Sequence, residues 1–222
     1  MAKKRIFLLP GFGEDLSTYD PLLPYLKDYE VHHVDYSSAL SKVPLWNTSG
    51  YAVVRHLLKE YDIQPEDKLI GHSTGGYFVF LIREMQGNEI AMISGFSDCA
   101  KVVPPLPYPW ITSPLVTILG ITKTEFSRNY MLKKIKGKPV AKPTMDAMMQ
   151  MTHFSSIDLY KIVLILTFDE KPFSILPNPL RIHAKDDKLV RLPDEPYQEV
   201  KGGHFPLALD IQGVVSALRD FL

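Results

Sequence analysis

A serine flanked at two residues' distance by glycines, Gly71-His72-Ser73-Thr74-Gly75, is the segment of this sequence best suited to chemistry. It fits the pattern G-x-S-x-G, whose purpose is mechanical. A strand turns sharply into a helix and leaves the serine hydroxyl exposed at the bend. Glycines on either side remove the Cβ atoms that so tight a turn cannot hold. The flanks agree: Lys68-Leu69-Ile70 reads as a strand, and Gly76–Met85 as a nearly all-apolar, buried helix. The N-terminus of that helix directs backbone N–H groups at the reacting centre.

A serine needs a base, and the base needs an acid to orient it. Of the seven histidines, His32 and His33 fall in a strand, one expected in the core and one facing a helix. His56 belongs to a charged helix and His183 to mid-strand. His153 falls in the central segment Cys99–Lys171, as a substrate contact or a structural residue. His72 adjoins the serine, but at such a turn its side chain should point away and stay out of the chemistry. His204 differs, since it follows the last strand candidate in a glycine-rich loop, "KGGHFP". Loops at the carboxyl ends of strands are where open α/β sheets gather their sites. The acid should fall between serine and histidine in the chain. Asp186 and Asp187, just past the strand "RIHA", are candidates, and Asp98 after "MISGFS" is another.

Two N–H donors are needed where negative charge develops on a reacting carbonyl. Thr74, directly after the serine, supplies one. The loop "LLPGFGED" after the first strand supplies the second, from Phe12 between Gly11 and Gly13. Those glycines do not make a dinucleotide loop, because the third glycine of G-x-G-x-x-G is replaced by Leu16. No P-loop, zinc spacing or His/Glu metal pair occurs, so no cofactor and no metal is expected.

The elements that must position these residues alternate strand and helix. Arg5–Pro10, Glu30–Tyr36, Asp67–Gly71, Glu89–Ser97, Pro179–Ala184 and Tyr197–Gly202 read as strands. "LSTYDPLLPYLKDY" has helical apolar spacing, with prolines that break it or start turns. "NTSGYAVVRHLLKEYDI" opens on capping residues, and a last helix buries Ile211, Val214, Val215, Leu218 and Leu222 behind an Asp210 cap. Such alternation predicts an α/β fold with a mostly parallel sheet between helices. From Cys99 to Lys171 the alternation stops. "VVPPLPYPW" cannot be a central strand, and the segment is too apolar to remain disordered, so it reads as an insertion of short helices and turns over the sheet.

In 222 residues with 45% apolar side chains there is ample material for one core. Net charge is zero, which gives no electrostatic reason to expect nucleic acid or an anionic membrane. One cysteine, Cys99, permits no disulfide framework. The apolar run Ile6–Leu9 is cut by Pro10 too early for a secretory leader, and no run is long enough to span a bilayer. A soluble, cytoplasmic protein is the expectation.

Taken together, "FLLPGFGED", "GHSTGG", "RIHAKDDKLV" and "GGHFP" resemble, in order, the oxyanion loop, elbow, acid loop and histidine loop of the α/β-hydrolase superfamily. The similarity is to its small esterase, thioesterase and carbon–carbon hydrolase branch. It implies the α/β-hydrolase fold, with residues 1–98 and 172–222 as core and 99–171 as a helical cap. It also implies a sheet trimmed to about six strands, because "RIFLLP" starts so early. Ser73 matches the nucleophile and His204 the base. The acid stands four residues after the histidine of the acid loop, which favours Asp187 over Asp186. The pattern departs at Pro10, where the family often has histidine, and at Ala184, where glycine is usual. The implied activity is hydrolysis of a small-molecule carboxylic ester or thioester. A carbon–carbon hydrolase or lyase could use the same site, and a non-catalytic binding module is a further alternative. Trp110, Phe126, Met148 and Phe154, with Tyr130, Met145 and Met149, either line an apolar acyl pocket or form the cap's own core. The run Lys133, Lys134, Lys136, Lys138 and Lys142 is a candidate for an anionic acyl carrier, or else a solvated face.

Overall fold

The structure, a computed structural model, describes residues 3–103 and 155–222. Six strands form one sheet: β1 (Lys4–Leu9), β2 (Tyr29–His33), β3 (Lys68–His72), β4 (Ile90–Ile93), β5 (Leu180–Ala184) and β6 (Gln198–Val200). Their spatial order is β2-β1-β3-β4-β5-β6, and each neighbouring pair is parallel. The chain leaves β1 for β2 on one side, then crosses back to β3 on the other. That reversal puts a crevice beyond the carboxyl ends of β1 and β3, where open α/β sheets bind ligands. The elbow and the glycine loop of the sequence are the two segments that emerge there.

Period-two alternation divides the sheet residues between two cores. Phe7, Leu9, Leu69, Ile90 and Met92 face one side, under helices α1 (Ser37–Lys42), α2 (Gly50–Glu60) and α3 (Thr74–Gln86). Ile6, Leu8, Ile70, Ala91, Ile93 and Ile182 face the other. There they meet α5 (Pro206–Leu209) and α6 (Ile211–Ala217). Helix α3 is apolar on every side because it lies between the sheet and α2; Tyr77 to Ile82 are all buried. The expected caps are present: Ser49 accepts from the Ala52 N–H, and Asp210 from the Gly213 N–H. Val214 and Leu218 are buried as expected, while Ile211, Val215 and Leu222 are only partly so.

Three readings of the sequence are corrected. "LSTYDPLLPYLKDY" forms two 3-10 turns, Leu16–Tyr19 and Leu23–Tyr25, and no α-helix. Pro21 and Pro24 remove the N–H groups an α-helix would need there. His32 and His33 are both half-buried, because β2 lies at the sheet edge; His32 stacks on Phe7 at 4.7 Å. The segment 99–171 contains more than short helices. Residues Ser156–Phe168 form α4, a helix of 13 residues capped by Ser155. Its Leu159, Ile162 and Ile165 join the core that holds α2 and α3. Just beyond it, Asp169 accepts hydrogen bonds from the Gly50 N–H (2.7 Å) and the Tyr77 hydroxyl (3.0 Å). Trp110, Phe126, Met148 and Phe154, the other apolar pocket candidates, His153 and the lysines from Lys133 to Lys142 lie outside the described residues. No helix among the described residues is long and apolar enough to cross a membrane.

Candidate active site

Ser73 follows β3 immediately and takes φ 50°, ψ −118°. A non-glycine residue in that region carries strain of about 1–3 kcal/mol, so its surroundings must hold it there. They do so by close approach. A Cβ on Gly71 would stand 2.4 Å from the Gly75 carbonyl oxygen, and one on Gly75 would stand 2.1 Å from that of Leu9. Only hydrogen fits at either place. The Ser73 N–H donates to Ile93 O, and its own carbonyl accepts from Tyr77 N–H in the first turn of α3. The serine thus becomes a fixed projection at the head of a helix, with Thr74 as the first helical residue.

His204 reaches it from the far end of the chain. Its Nε2 lies 2.9 Å from Ser73 Oγ, and its Nδ1 lies 2.9 Å from Asp187 Oδ2. The loop that delivers it needs Gly202 and Gly203 at φ 108° and 60°, and Asp186 Oδ1 accepts from the Gly203 N–H at 3.0 Å. The aspartate pair therefore divides its tasks: Asp187 holds the imidazole and Asp186 the loop. Asp98 does neither and caps the 3-10 turn Cys99–Lys101 through the Ala100 N–H.

Asp187 is held as firmly as it holds. Its Oδ1 accepts from the N–H groups of Leu189 and Val190, at 2.8 and 3.0 Å. An antiparallel bridge from Val190 to Val102 ties this loop to the root of the 99–171 segment. Burial works against charge on a side chain only 1% exposed. The His204 ring and the two backbone amides outweigh it and keep the carboxyl below its ordinary pKa. A carboxylate on Nδ1 fixes the tautomer: Nδ1 carries the proton, and Nε2 offers its lone pair to the serine hydroxyl.

The loop after β1 closes the other side. A Cβ built on Gly11 would stand 3.0 Å from Ser73 Cβ, so this backbone lies directly against the serine. The Gly11 carbonyl accepts from the Tyr36 hydroxyl (2.9 Å) and from the Glu14 N–H (3.2 Å). Its peptide to Phe12 is trans, so the Phe12 N–H points away from Tyr36.

The sequence reading left out three side chains that the structure brings to this place. Glu14 is buried, and its Oε2 accepts from the Gly11 N–H at 2.8 Å. His72 does turn from Ser73, as expected, but it is no bystander. Its Nδ1 lies 2.8 Å from Glu14 Oε2, and its Nε2 lies 2.7 Å from the carbonyl oxygen of His204. His183 reaches from β5 to within 3.4 Å of Asp187 Oδ2. Burial pulls its pKa down, and the charge on Asp187 offsets this only in part. Glu14 and Asp15 stand together at the end of an otherwise small and apolar loop, and nothing local in the sequence tells which of the two turns inward.

A parallel sheet whose β3 ends in a strained serine at the switch point is the α/β-hydrolase fold, and solved structures of that fold superpose along the whole chain. One is a hydrolase from Oleispira antarctica, with TM-score 0.72 and 16% identity, covering 100% of this chain and 91% of that one. A second is an esterase from Exiguobacterium antarcticum, with TM-score 0.72 and 12% identity, covering 99% and 92%. An enol-lactonase from Burkholderia xenovorans aligns with TM-score 0.68 and 15% identity, covering 100% and 92%. No protein-family model matches the chain, and no curated protein matches it. At such identities the likeness is one of fold.

Proposed function

We propose that this chain is a serine hydrolase that cleaves a carboxylic ester or thioester through an acyl-enzyme. The observation that carries this reading is the continuous hydrogen-bonded line from Ser73 Oγ through the His204 ring to Asp187, 2.9 Å at each step, on a strained elbow. The solved esterases, lactonase and hydrolases of the same fold support it as analogy.

His204 Nε2 takes the Ser73 proton as Oγ bonds to the substrate's carbonyl carbon. Asp187, already ionised, stabilises the imidazolium that results. The carbonyl oxygen takes up the negative charge between the N–H groups of Phe12 and Thr74. Loss of one such donor costs on the order of 10²–10³ in turnover. The tetrahedral centre then collapses, the bond to the leaving oxygen or sulfur breaks, and His204 returns the proton to it. Water, deprotonated by the same Nε2, attacks the acyl-serine and releases the acid. In this reading the part of the 99–171 segment that precedes α4 forms a cap over the site, and Trp110, Phe126, Met148 and Phe154 line its acyl pocket.

The test combines labelling and turnover. A serine-directed fluorophosphonate should add one adduct mass to the native protein and none to Ser73→Ala. A series of nitrophenyl and coenzyme A esters of rising chain length should turn over only with Ser73 present. An unlabelled native protein, or equal labelling of Ser73→Ala, refutes the assignment.

A further inference from the structure

Glu14 and His72 are enclosed beneath the site, with side chains 2% and 0% exposed. Neither touches Ser73 Oγ in the hydrogen-bond pattern above, yet together they join the two loops that flank it. The path runs from the Gly11 N–H to Glu14 Oε2 (2.8 Å), on to His72 Nδ1 (2.8 Å), and from His72 Nε2 to the His204 carbonyl (2.7 Å). Its protons can be counted. The His204 carbonyl only accepts, so Nε2 must carry a proton. Nδ1 faces an oxygen that already accepts from Gly11, so one further proton lies between the ring and the carboxylate. Glu14, from the β1 loop, is the titratable group on one side of the ring. His204 and Asp187, from the two C-terminal loops, are those on the other, and the phenols of Tyr19 and Tyr36 lie near Glu14. A buried ionic pair is a poor source of stability compared with apolar packing of the same volume. Its use is geometric.

We propose that Glu14 and His72 are positioning residues that form a single strut between the oxyanion loop and the His204 loop. The strut sets the Phe12 N–H and His204 Nε2 in register, so that both face one bound carbonyl. This rests on the serine-hydrolase reading above. The acceptor for Gly11 and the donor to His204 belong to one rigid chain of three short hydrogen bonds. Shortening or breaking it lets the two loops settle independently. A misplacement of about 1 Å between groups that act on one carbonyl is worth roughly a hundredfold in rate.

Glu14→Gln breaks the strut without changing its volume. An amide oxygen can accept from Gly11 and from His72 Nδ1, but a neutral ring then presents a bare Nε2 to the His204 carbonyl. The experiment compares native protein, Ser73→Ala, Glu14→Gln, His72→Gln and the double variant E14Q/H72Q on a nitrophenyl ester, with urea unfolding of each. The expected result is a fall in kcat of roughly a hundredfold for each single change, with KM within about twofold. The double variant should lose no more than the worse single, because both residues act through one strut. It buries no charge, so kcat is read from it if a single variant does not fold. A folded Glu14→Gln or double variant with native kcat overturns the proposal, as do losses that multiply. A native protein without ester turnover, or an active Ser73→Ala, overturns the hydrolase reading instead.

Discussion

Gly75 lies directly beneath the Leu9 carbonyl: a Cβ there would stand 2.1 Å from that oxygen and 2.4 Å from that of Pro10. This contact is where helix α3 meets the end of β1, and it brings the loop after β1 to the serine. Both obstacles are backbone, which cannot rotate aside.

Gly75→Ala should therefore push the elbow and the β1 loop apart. Overpacking of this kind costs about 1–3 kcal/mol, and a backbone clash belongs at the upper end. Ester turnover should fall with it. Gly87 is the contrast, since it has φ 82° at the end of α3 and nothing within 4 Å of a built Cβ. Gly87→Ala should cost about 1–2 kcal/mol through conformation alone and leave kcat unchanged. Urea unfolding and ester kinetics on the two variants separate the effects. Equal loss of turnover in both would mean that the close approach at Gly75 is irrelevant to the site.

Asp187 and Asp186 are adjacent in sequence and should differ by orders of magnitude. In Asp187→Asn the amide oxygen would stay with Leu189 and Val190, leaving the NH₂ group to face His204 Nδ1. The imidazole must then accept at Nδ1 and carry its proton on Nε2, the tautomer that cannot deprotonate Ser73. A loss of about 10⁴ in kcat is expected, with the fold intact. Asp186→Asn keeps an oxygen for the Gly203 N–H and should retain turnover within about threefold. Steady-state kinetics decide it, and similar losses in the two variants would refute the division of tasks.

The contrast between these residues also shows what a sequence exposes. Ser73, Asp187 and His204 each stand in a loop after a strand, in a short local pattern, and local patterns are readable. The α/β alternation and the six-stranded sheet were readable for the same reason. The part of the site that joins Glu14 to His72 was not, because its link is made through space across the switch point. Its last partner is a backbone carbonyl, which has no letter of its own. Helix α4 went unread for a different cause. "KIVLILTF" is apolar on every side and offers no periodicity, although Ser155 and Asp158 do mark its start. The turns before β2 were misread because apolar spacing fits a 3-10 turn and an α-helix alike, and proline decides between them.

The strut should also leave a signature in stability against pH. Burial opposes charge on both partners, yet each holds the other ionised. The Glu14 carboxyl is kept below its ordinary value of 4.5 by the His72 charge and the Gly11 N–H. The His72 ring is raised above 6.5 by Glu14 and by the His204 carbonyl. A carboxyl with a lowered pKa contributes stability above its unfolded value and loses it as pH falls through the folded one. An imidazole with a raised pKa contributes stability below its unfolded value and loses it as pH rises through the folded one. The pair's contribution is thus greatest between those two ordinary values and declines on either side. Urea unfolding of native protein and E14Q/H72Q across this range measures it as a difference. Asp187, held low by His204, and His183, pulled down by burial, titrate in both proteins, so only the part of their contribution that runs through His72 enters the difference. The native-minus-variant stability should fall as pH rises above about 6.5. A difference that grows with pH, or stays level, would mean that His72 is not held protonated by Glu14.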